Sequence, residues 1–310
     1  MNPFDRPSAS GAGGHDFASG GGVALAAPAL SWRDRRRRTT SFVMLALTGV
    51  AAALTVLPLL LIFFHLLRAG LSSMTGSFFT HVPAPVGESG GGVGNSLLGT
   101  IILVMLAGAM GLPVAIGAGM YLAEAQGSRT ANVIRFVTDV MNGIPSIVIG
   151  IFVWAWVVVS MGHFSAFAGG VALAIMLVPM VTRTTEEMVR LVPRELKEGG
   201  LALGFTRWRT ALGIVLPAAR SGILTGVLVA LARIAGETAP LLFTAFGNPF
   251  WEWRLGQPVD ALPVRIFQYA ISPYEEWHRL AWAGSLLLIA LVLAVSLTAR
   301  FLIRSPYRAR

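Results

Sequence analysis

Between two long apolar segments the chain reads Glu198-Gly199-Gly200-Leu201-Ala202-Leu203-Gly204, and after nine further residues Ile214-Val215-Leu216-Pro217. Gly204 lies where a residue in the left-handed conformation ends many helices. Apolar or small residues precede it at i, i+4 and i+7, namely Leu196, Gly200 and Leu203. The spacing predicts two short helices that meet at Gly204, the second capped by Thr206. Their apolar face needs a partner, which is either another protein or the chain's own helices.

The composition is that of a membrane protein. Hydrophobic residues make up 55% of the 310 residues, charged residues only 13%, and the mean hydropathy is +0.69, whereas soluble domains average roughly 25% charged residues. A helix needs about 20 apolar residues to cross a bilayer core. Six segments qualify, at residues 42–67, 95–122, 137–160, 164–181, 219–246 and 280–303. We therefore predict an all-α membrane protein with six transmembrane helices.

The basic residues lie mostly on one side of these six segments. Of the 24 arginine and lysine residues, nineteen lie in the two terminal segments and in the connections after the second and fourth spans, and four lie on the other side. Cytoplasmic loops of membrane proteins carry such an excess of positive charge, so we place both termini in the cytoplasm. The charges are spread over loops rather than gathered on one folded face, so we expect no nucleic acid partner.

Residues 1–38 differ in composition from the rest of the chain. Gly, Ala, Ser and Pro dominate up to Val23, and a basic cluster follows at Arg33 to Arg38. Segments this poor in large apolar residues stay disordered. The apolar segment that follows is too long for a secretory signal peptide, so we interpret it as a retained helix. We expect a disordered, basic cytoplasmic tail over 1–38 and a transmembrane domain over 39–310.

The sequence shows no recognisable metal site and no ATP-binding loop. The five histidines are scattered without a His-Glu-x-x-His pair, and the absence of cysteine excludes thiolate ligands. The only lysine, Lys197, precedes Glu198, whereas a Walker A loop needs Gly-Lys followed by Ser or Thr. We therefore expect a chain that is not an enzyme and that binds no metal or other cofactor.

The third span is interrupted by Asn142-Gly143-Ile144-Pro145-Ser146. Proline inside a membrane helix frees a carbonyl group and bends the axis, and small residues allow neighbouring helices to approach closely. The kink serves either packing or a substrate path, and both interpretations stay open. Asp139, near the start of this span, is interpreted as an interfacial residue beside Arg135 rather than as a buried charge.

The fifth span carries two ionisable residues, Arg233 and Glu237. Counted from residue 219 at 1.5 Å per residue, Arg233 lies roughly 20 Å into the membrane. An arginine at that depth costs about 2.5–3.5 kcal/mol on insertion scales, so it must face a partner or a water-filled path. Glu237, four residues on, is predicted to share its helical face. The two residues form either part of a substrate path or a helix-stabilising ion pair.

The loop around Glu198 resembles the EAA loop of binding-protein-dependent ABC importer permeases. Their pattern is Glu-Ala-Ala, three residues, Gly, nine residues and Ile-x-Leu-Pro, and here both alanines are glycine. Further blocks are similar to one group of these permeases, the phosphate-specific PstA family. The matching blocks are 94–100, 143–150, 183–187, 192–217 and 232–244. The similarity runs from about residue 94 to 303 and includes a coupling loop over 183–217.

The resemblance implies a type I ABC-importer permease fold with a phosphate route through the membrane. Arg233, Glu237 and Arg183 are the residues that it places along this substrate path. It also implies that the coupling loop docks onto a cytosolic ATPase, through Glu198, Gly199, Gly200, Gly204, Leu196 and Leu203. In this interpretation the arginine fork binds the oxyanion, and Glu237 holds the fork between transport events.

The partners follow from the same resemblance. They are a sister permease of the PstC type, an ATPase dimer of the PstB type that uses ATP and Mg, and a periplasmic phosphate-binding protein of the PstS type. The expected location is the bacterial inner membrane, within the lipid bilayer. Two alternatives stay open. One is a permease for another oxyanion, sulfate or molybdate, and the other is a secondary transporter, which would need internal repeats and ion-coupling carboxylates near the membrane centre.

Overall fold

The computed structural model of the protein describes residues 32–86, 88 and 90–302, without the side chains of 34, 35 and 299–302. Every regular element in this part is a helix. The helices are α1 (Trp32–Leu71), α2 (Gly76–Thr80), α3 (Gly94–Glu124), α4 (Arg129–Gly143), α5 (Ser146–Met161), α6 (Ala166–Arg190), α7 (Arg194–Ala202), α8 (Arg207–Ala235), α9 (Ala239–Thr244), α10 (Leu262–Ala270) and α11 (Glu275–Leu302). One turn each of α5 and α8 is π-helical.

Five helices are long and apolar enough to cross a bilayer, namely α1, α3, α6, α8 and α11. The bent pair α4 and α5 passes the same test of length and composition when its two helices are taken together, which gives a sixth candidate span. The predicted all-α architecture is therefore confirmed. The described part of the chain divides into two compact units between Leu59 and Leu60, and the contacts described below lie within the second unit.

The first span begins earlier than predicted. Its helix starts at Trp32 rather than at residue 42, so residues 32–38 of the expected disordered tail are helical. The four consecutive arginines Arg35 to Arg38 explain the difference, because arginine is a good helix former. Residues 1–31 lie outside the described residues, so the prediction of disorder there stays a prediction.

The third span is not one helix over 137–160. α4 already begins at Arg129, and the chain turns by 103° between α4 and α5. Ile144 and Pro145 form this bend, because a residue before proline is disfavoured in the helical conformation. Asp139 is exposed on α4, as expected of an interfacial residue, but the Arg135 side chain is directed to Glu186.

Glycines allow α3 and α6 to pack closely at the centre of the second unit. A Cβ atom added to Gly119 would lie 2.5 Å from Cβ of Thr185, and one added to Gly111 would lie 3.2 Å from Cδ2 of Leu177. Both pairs are separated by the same 66 residues, so the two helices run parallel. Their shared interface is the largest apolar cluster in the described part of the chain, and α8 contributes Val227 to it.

α8 packs against α6 in the opposite direction. Gly222 lies against Met188, and Gly226 lies against Thr184, with no space for a Cβ atom at either glycine. Each step of four residues along α8 thus matches a step of four residues back along α6. This antiparallel register locates residues of α8 relative to those of α6.

Buried polar contacts hold the loop over 247–261 against the start of α3. Asp260 Oδ2 accepts hydrogen bonds from Ser96 Oγ at 2.5 Å and from Arg265 Nε at 2.7 Å. Asp260 Oδ1 is buried without a hydrogen-bond partner. Burial raises the pKa of the Asp260 carboxyl group, although Arg265 and Ser96 act in the opposite direction. Gly99 lies so close to the Asp260 carbonyl that a side chain would not fit there.

Candidate substrate path and coupling surface

The fifth span is broken immediately after Arg233. α8 ends at Ala235, the backbone N–H of Gly236 donates to the Arg233 carbonyl at 3.1 Å, and α9 starts at Ala239. Pro240 occupies the first turn of α9, a position where its missing N–H costs no helical hydrogen bond. Glu237 therefore lies in the connection between two helices. The prediction that Glu237 shares a helical face with Arg233 is wrong, because the helix does not continue to Glu237.

Arg233 is exposed in the last turn of α8, while its neighbours Ala232 and Ile234 are buried. Within the described residues its side chain forms no ion pair or hydrogen bond, and the same holds for Glu237. The carbonyl end of a helix carries a partial negative charge, which stabilises a cation there. The helix thus fixes the backbone position of Arg233, and the hydrogen-bond donors of its guanidinium group stay available.

Two sequence blocks that are far apart in the chain meet at this break. A Cβ atom added to Gly150 of α5 would lie 2.6 Å from Cα of Pro240, and one added to Gly169 of α6 would lie 3.1 Å from Cβ of Ala245. α9 is therefore packed between α5 and α6. α5, which follows the kink of the third span, therefore packs against the second part of the broken fifth span. This contact is a packing role for the region after the kink, and it leaves the substrate-path interpretation a prediction.

Arg183 lies on the exposed side of α6, toward the coupling loop. The register of Gly226 against Thr184 puts Arg183 level with Val227 of α8. Val227 precedes Arg233 by six residues, which is about 9 Å along a helix at 1.5 Å per residue. The structure thus arranges Arg183 and Arg233 at two levels along the same helix pair, without bringing them into contact.

A buried carboxylate next to Arg183 was not identified from the sequence. Glu186 is 1% exposed, and its Oε1 accepts a hydrogen bond from Arg135 Nε at 2.7 Å. Arg190, one turn along α6, pairs with the same oxygen. Arg135 also donates to the Leu122 carbonyl at 2.6 Å, so this cluster joins α3, α4 and α6. The i, i+4 spacing of Glu186 and Arg190 was the only signal in the sequence.

The coupling loop has the conformation that its glycines predicted. α7 ends at Ala202, Gly204 has a φ of +82°, and Thr206 caps the next helix by accepting a hydrogen bond from Arg209 N. Gly200 is buried, and a Cβ atom there would lie 2.8 Å from Thr210 Cγ2 and from Ile214 Cδ1. Gly200 is therefore the point where α7 touches the start of α8. The predicted second short helix is wrong, because the helix that Thr206 caps continues into the fifth span.

The outer surface of this loop is apolar and uncovered. Glu198 and Gly199 are exposed, and so are the large apolar residues Leu196, Leu201, Leu203, Phe205, Trp208 and Leu212. Phe205, Trp208 and Leu212 line an open groove of about 610 Å³. Lys197 Nζ donates to Glu124 Oε1 at 2.6 Å and ties α7 to the end of α3. The knob that these residues form is thus fixed to the membrane helices while its apolar face stays available to a partner.

Comparisons with known proteins agree with this architecture. Residues 115–305 match the family described as "Binding-protein-dependent transport system inner membrane component". The chain is 45% identical over 271 residues to the phosphate transport system permease protein PstA of Yersinia pestis, a match that covers 87% of this chain and 90% of the relative. The PstA protein of Xylella fastidiosa strain Temecula1 is 44% identical, with 87% and 94% covered. The probable PstA protein of Methanocaldococcus jannaschii is 37% identical, with 86% and 94% covered.

Solved structures show the same fold at low sequence identity. A bacterial alginate ABC transporter matches with a TM-score of 0.60 at 14% identity, covering 88% of this chain and 97% of that one. An inward-facing methionine ABC transporter, MetNI, matches with a TM-score of 0.54 at 20% identity, covering 69% and 93%. The arrangement of helices described above is therefore shared with permeases of ABC importers.

Proposed function

The chain belongs to the binding-protein-dependent inner-membrane permeases and, among them, to the PstA family, and on this premise we propose that it transports inorganic phosphate. It is a permease subunit of an ATP-driven importer, and with a sister permease it forms the route through the membrane. The observation that carries the proposal is Arg233 at the break in the fifth span, without a side-chain partner in the described part of a chain that is 45% identical to a PstA protein.

The chemistry of phosphate explains why such an arginine is needed. Phosphate is a strongly hydrated anion, and in the bilayer core a fixed positive charge must replace its water. A guanidinium group keeps its proton and offers a planar fork of donors that fits an oxyanion. The break after Ala235 adds backbone that does not form helical hydrogen bonds, which is acceptable at this depth only beside a cavity or buried in protein. Arg233 and this connection together form the central part of the proposed route.

The proposal includes the partners that the chain needs. The exposed apolar knob of the coupling loop is the surface for an ATPase dimer of the PstB type, which uses ATP and Mg, so that this subunit contributes no catalysis and binds no cofactor. A PstC-type permease completes the route, and a PstS-type binding protein delivers phosphate from the outer side. The complex works in the bacterial inner membrane.

Uptake of labelled phosphate tests the substrate assignment. Cells that lack the chain are compared with cells that express it, and unlabelled sulfate and molybdate are added as competitors. We expect phosphate uptake to depend on the chain and to be unaffected by either competitor. Loss of sulfate or molybdate uptake in the deletion strain, with phosphate uptake intact, would replace phosphate by that anion.

A further inference from the structure

Arg183 is held by two carboxylates in contacts of unequal strength. Its Nε lies 3.2 Å from Oε1 of Glu187, and its NH1 lies 3.6 Å from Oε2 of Glu186. The Arg183 and Glu187 side chains are 45% and 55% exposed. Exposed ion pairs on one helix face contribute little, because water competes for both charges. The Arg183–Glu187 pair is therefore one that another anion can replace.

The Glu186 carboxylate is held more firmly than that of Glu187. It is buried, and Arg135 and Arg190 both bind its other oxygen, Oε1. Among the described residues its Oε2 has no hydrogen-bond partner, since Arg183 lies beyond hydrogen-bond distance. Of the three arginines around Glu186, Arg183 is thus the one whose guanidinium group is not fixed by it. Whether the Arg183 guanidinium group is paired therefore depends on Glu187.

The position of Arg183 connects this pair to the proposed route. It lies about 9 Å inward from Arg233 along the α6 and α8 helices, by the six-residue offset at 1.5 Å per residue. In the proposed route, an anion that leaves Arg233 toward the cytoplasm passes the level of Arg183. Two carboxylates lie within 4 Å of Arg183, and both repel an anion that binds there.

We propose that Glu187 is the exchange partner of phosphate on Arg183 and so promotes phosphate release on the cytoplasmic side. Phosphate displaces the Glu187 carboxylate from the guanidinium group, and return of Glu187 to Arg183 expels phosphate inward. Glu187 keeps the affinity of this inner position low without forming part of the outer one. The inference rests on the proposed phosphate function.

The experiment uses the complete transporter, with its sister permease, ATPase and binding protein, reconstituted in proteoliposomes. Labelled phosphate uptake is measured while unlabelled phosphate is increased on the cytoplasmic side, and the concentration that halves uptake is determined. Glu187→Gln removes the competing charge and keeps the side-chain volume. We expect this concentration to fall about three- to fivefold, as the loss of an exposed ion pair predicts. Asp139→Asn is the control, since exposed Asp139 forms no ion pair in the described residues and its replacement removes the same charge.

Each outcome decides the inference. Inhibition by cytoplasmic phosphate at wild-type concentrations in Glu187→Gln contradicts the role of Glu187, and so does an equal shift in Asp139→Asn. If Glu187→Gln does not assemble, Glu187→Asp provides the same test, because a shorter carboxylate reaches Arg183 less well and must give a smaller shift in the same direction. A wild-type transporter that takes up no phosphate contradicts the proposed function itself, which separates the two failures.

Discussion

At the scale of single residues, the ionisable groups of the membrane region divide into a fixed set and an available set. Arg135 and Arg190 both bind the buried carboxylate of Glu186. Arg233 and Glu237 have no side-chain partner within the described residues. Stability favours the first arrangement, because a charge without a partner is costly inside the membrane. An uncompensated arginine at the end of α8 is therefore more typical of a binding site than of a stabilising contact.

We expect the stability of the protein to depend on the carboxylate of Glu186. Glu186→Gln leaves Arg135 and Arg190 without their shared counter-charge. Since both arginines keep some access to solvent, we expect a cost of about 1–3 kcal/mol, the range for losing one partner of a hydrogen-bonded charge. Glu187→Gln removes an equal charge from an exposed position and is expected to cost less than about 1 kcal/mol. Thermal unfolding of the two purified variants in detergent measures the difference. Equal unfolding midpoints would contradict the structural role assigned to Glu186.

At the scale of elements, the coupling loop depends on two adjacent glycines in different ways. Gly199 has no atom within 4 Å of an added Cβ, whereas Gly200 is in contact with Thr210 and Ile214. The alanine of the related EAA pattern thus fits at residue 199, but at residue 200 it fits only if these neighbours move. Gly200 is the residue that sets how closely α7 approaches the start of α8.

Substitution of these glycines is expected to have opposite effects. Gly199→Ala should stabilise α7 by about 0.5–1 kcal/mol, since glycine costs that much relative to alanine inside a helix. Gly200→Leu overpacks the contact with Thr210, which costs about 1–3 kcal/mol, and moves the apolar knob. We expect ATPase to co-purify with tagged wild-type and Gly199→Ala protein and to be lost from Gly200→Leu. Undiminished ATPase recovery with Gly200→Leu, at normal phosphate uptake, would show that the loop is not the docking surface.

Some features of the helices could be predicted from the sequence alone, and others could not. The length of the apolar segments predicted the crossings, and Gly204 predicted the turn of the coupling loop, because both depend on local properties. The pairing of Glu237 with Arg233 was predicted wrongly, because the i, i+4 spacing assumed a continuous helix, whereas the helix ends at Ala235 and a new one starts before Pro240. The Glu186 cluster was missed, because Arg135 is 51 residues away along the chain and approaches only through the bend at Pro145.

At the scale of the whole molecule, the outer and inner ends of the helices are secured by different polar contacts. On the outer side Asp260, Ser96 and Arg265 hold the 247–261 loop to α3. On the inner side Lys197 and Glu124 join the coupling loop to the other end of α3. α3 thus connects the two surfaces at which the proposed partners bind.

The buried Asp260 carboxyl group makes the stability of the protein depend on pH. Its pKa is raised in the folded state by burial, so the unfolded chain loses this proton first, near pH 3.9. The contribution of this group to the free energy of unfolding is therefore fully present below that pH, and it is lost as the pH rises through the pKa of the folded state. Thermal unfolding above pH 4 should show this decrease in wild-type protein and in Asp139→Asn. Asp260→Asn should lack it, and an unchanged pH profile in Asp260→Asn would contradict the assignment.

The central claim is that Arg233 binds phosphate during transport, and phosphate uptake by Arg233 variants of the complete reconstituted transporter tests it most directly. Arg233→Gln should insert and bind ATPase normally, because it removes a costly charge and touches no loop contact, but uptake should fall about 10- to 100-fold, as the loss of hydrogen bonds from a charged donor predicts. Arg233→Lys should also be strongly impaired, since an ammonium group lacks the planar fork. Near-normal uptake by Arg233→Gln, or by a charge-free Arg233→Leu and Glu237→Leu double variant, would contradict the claim.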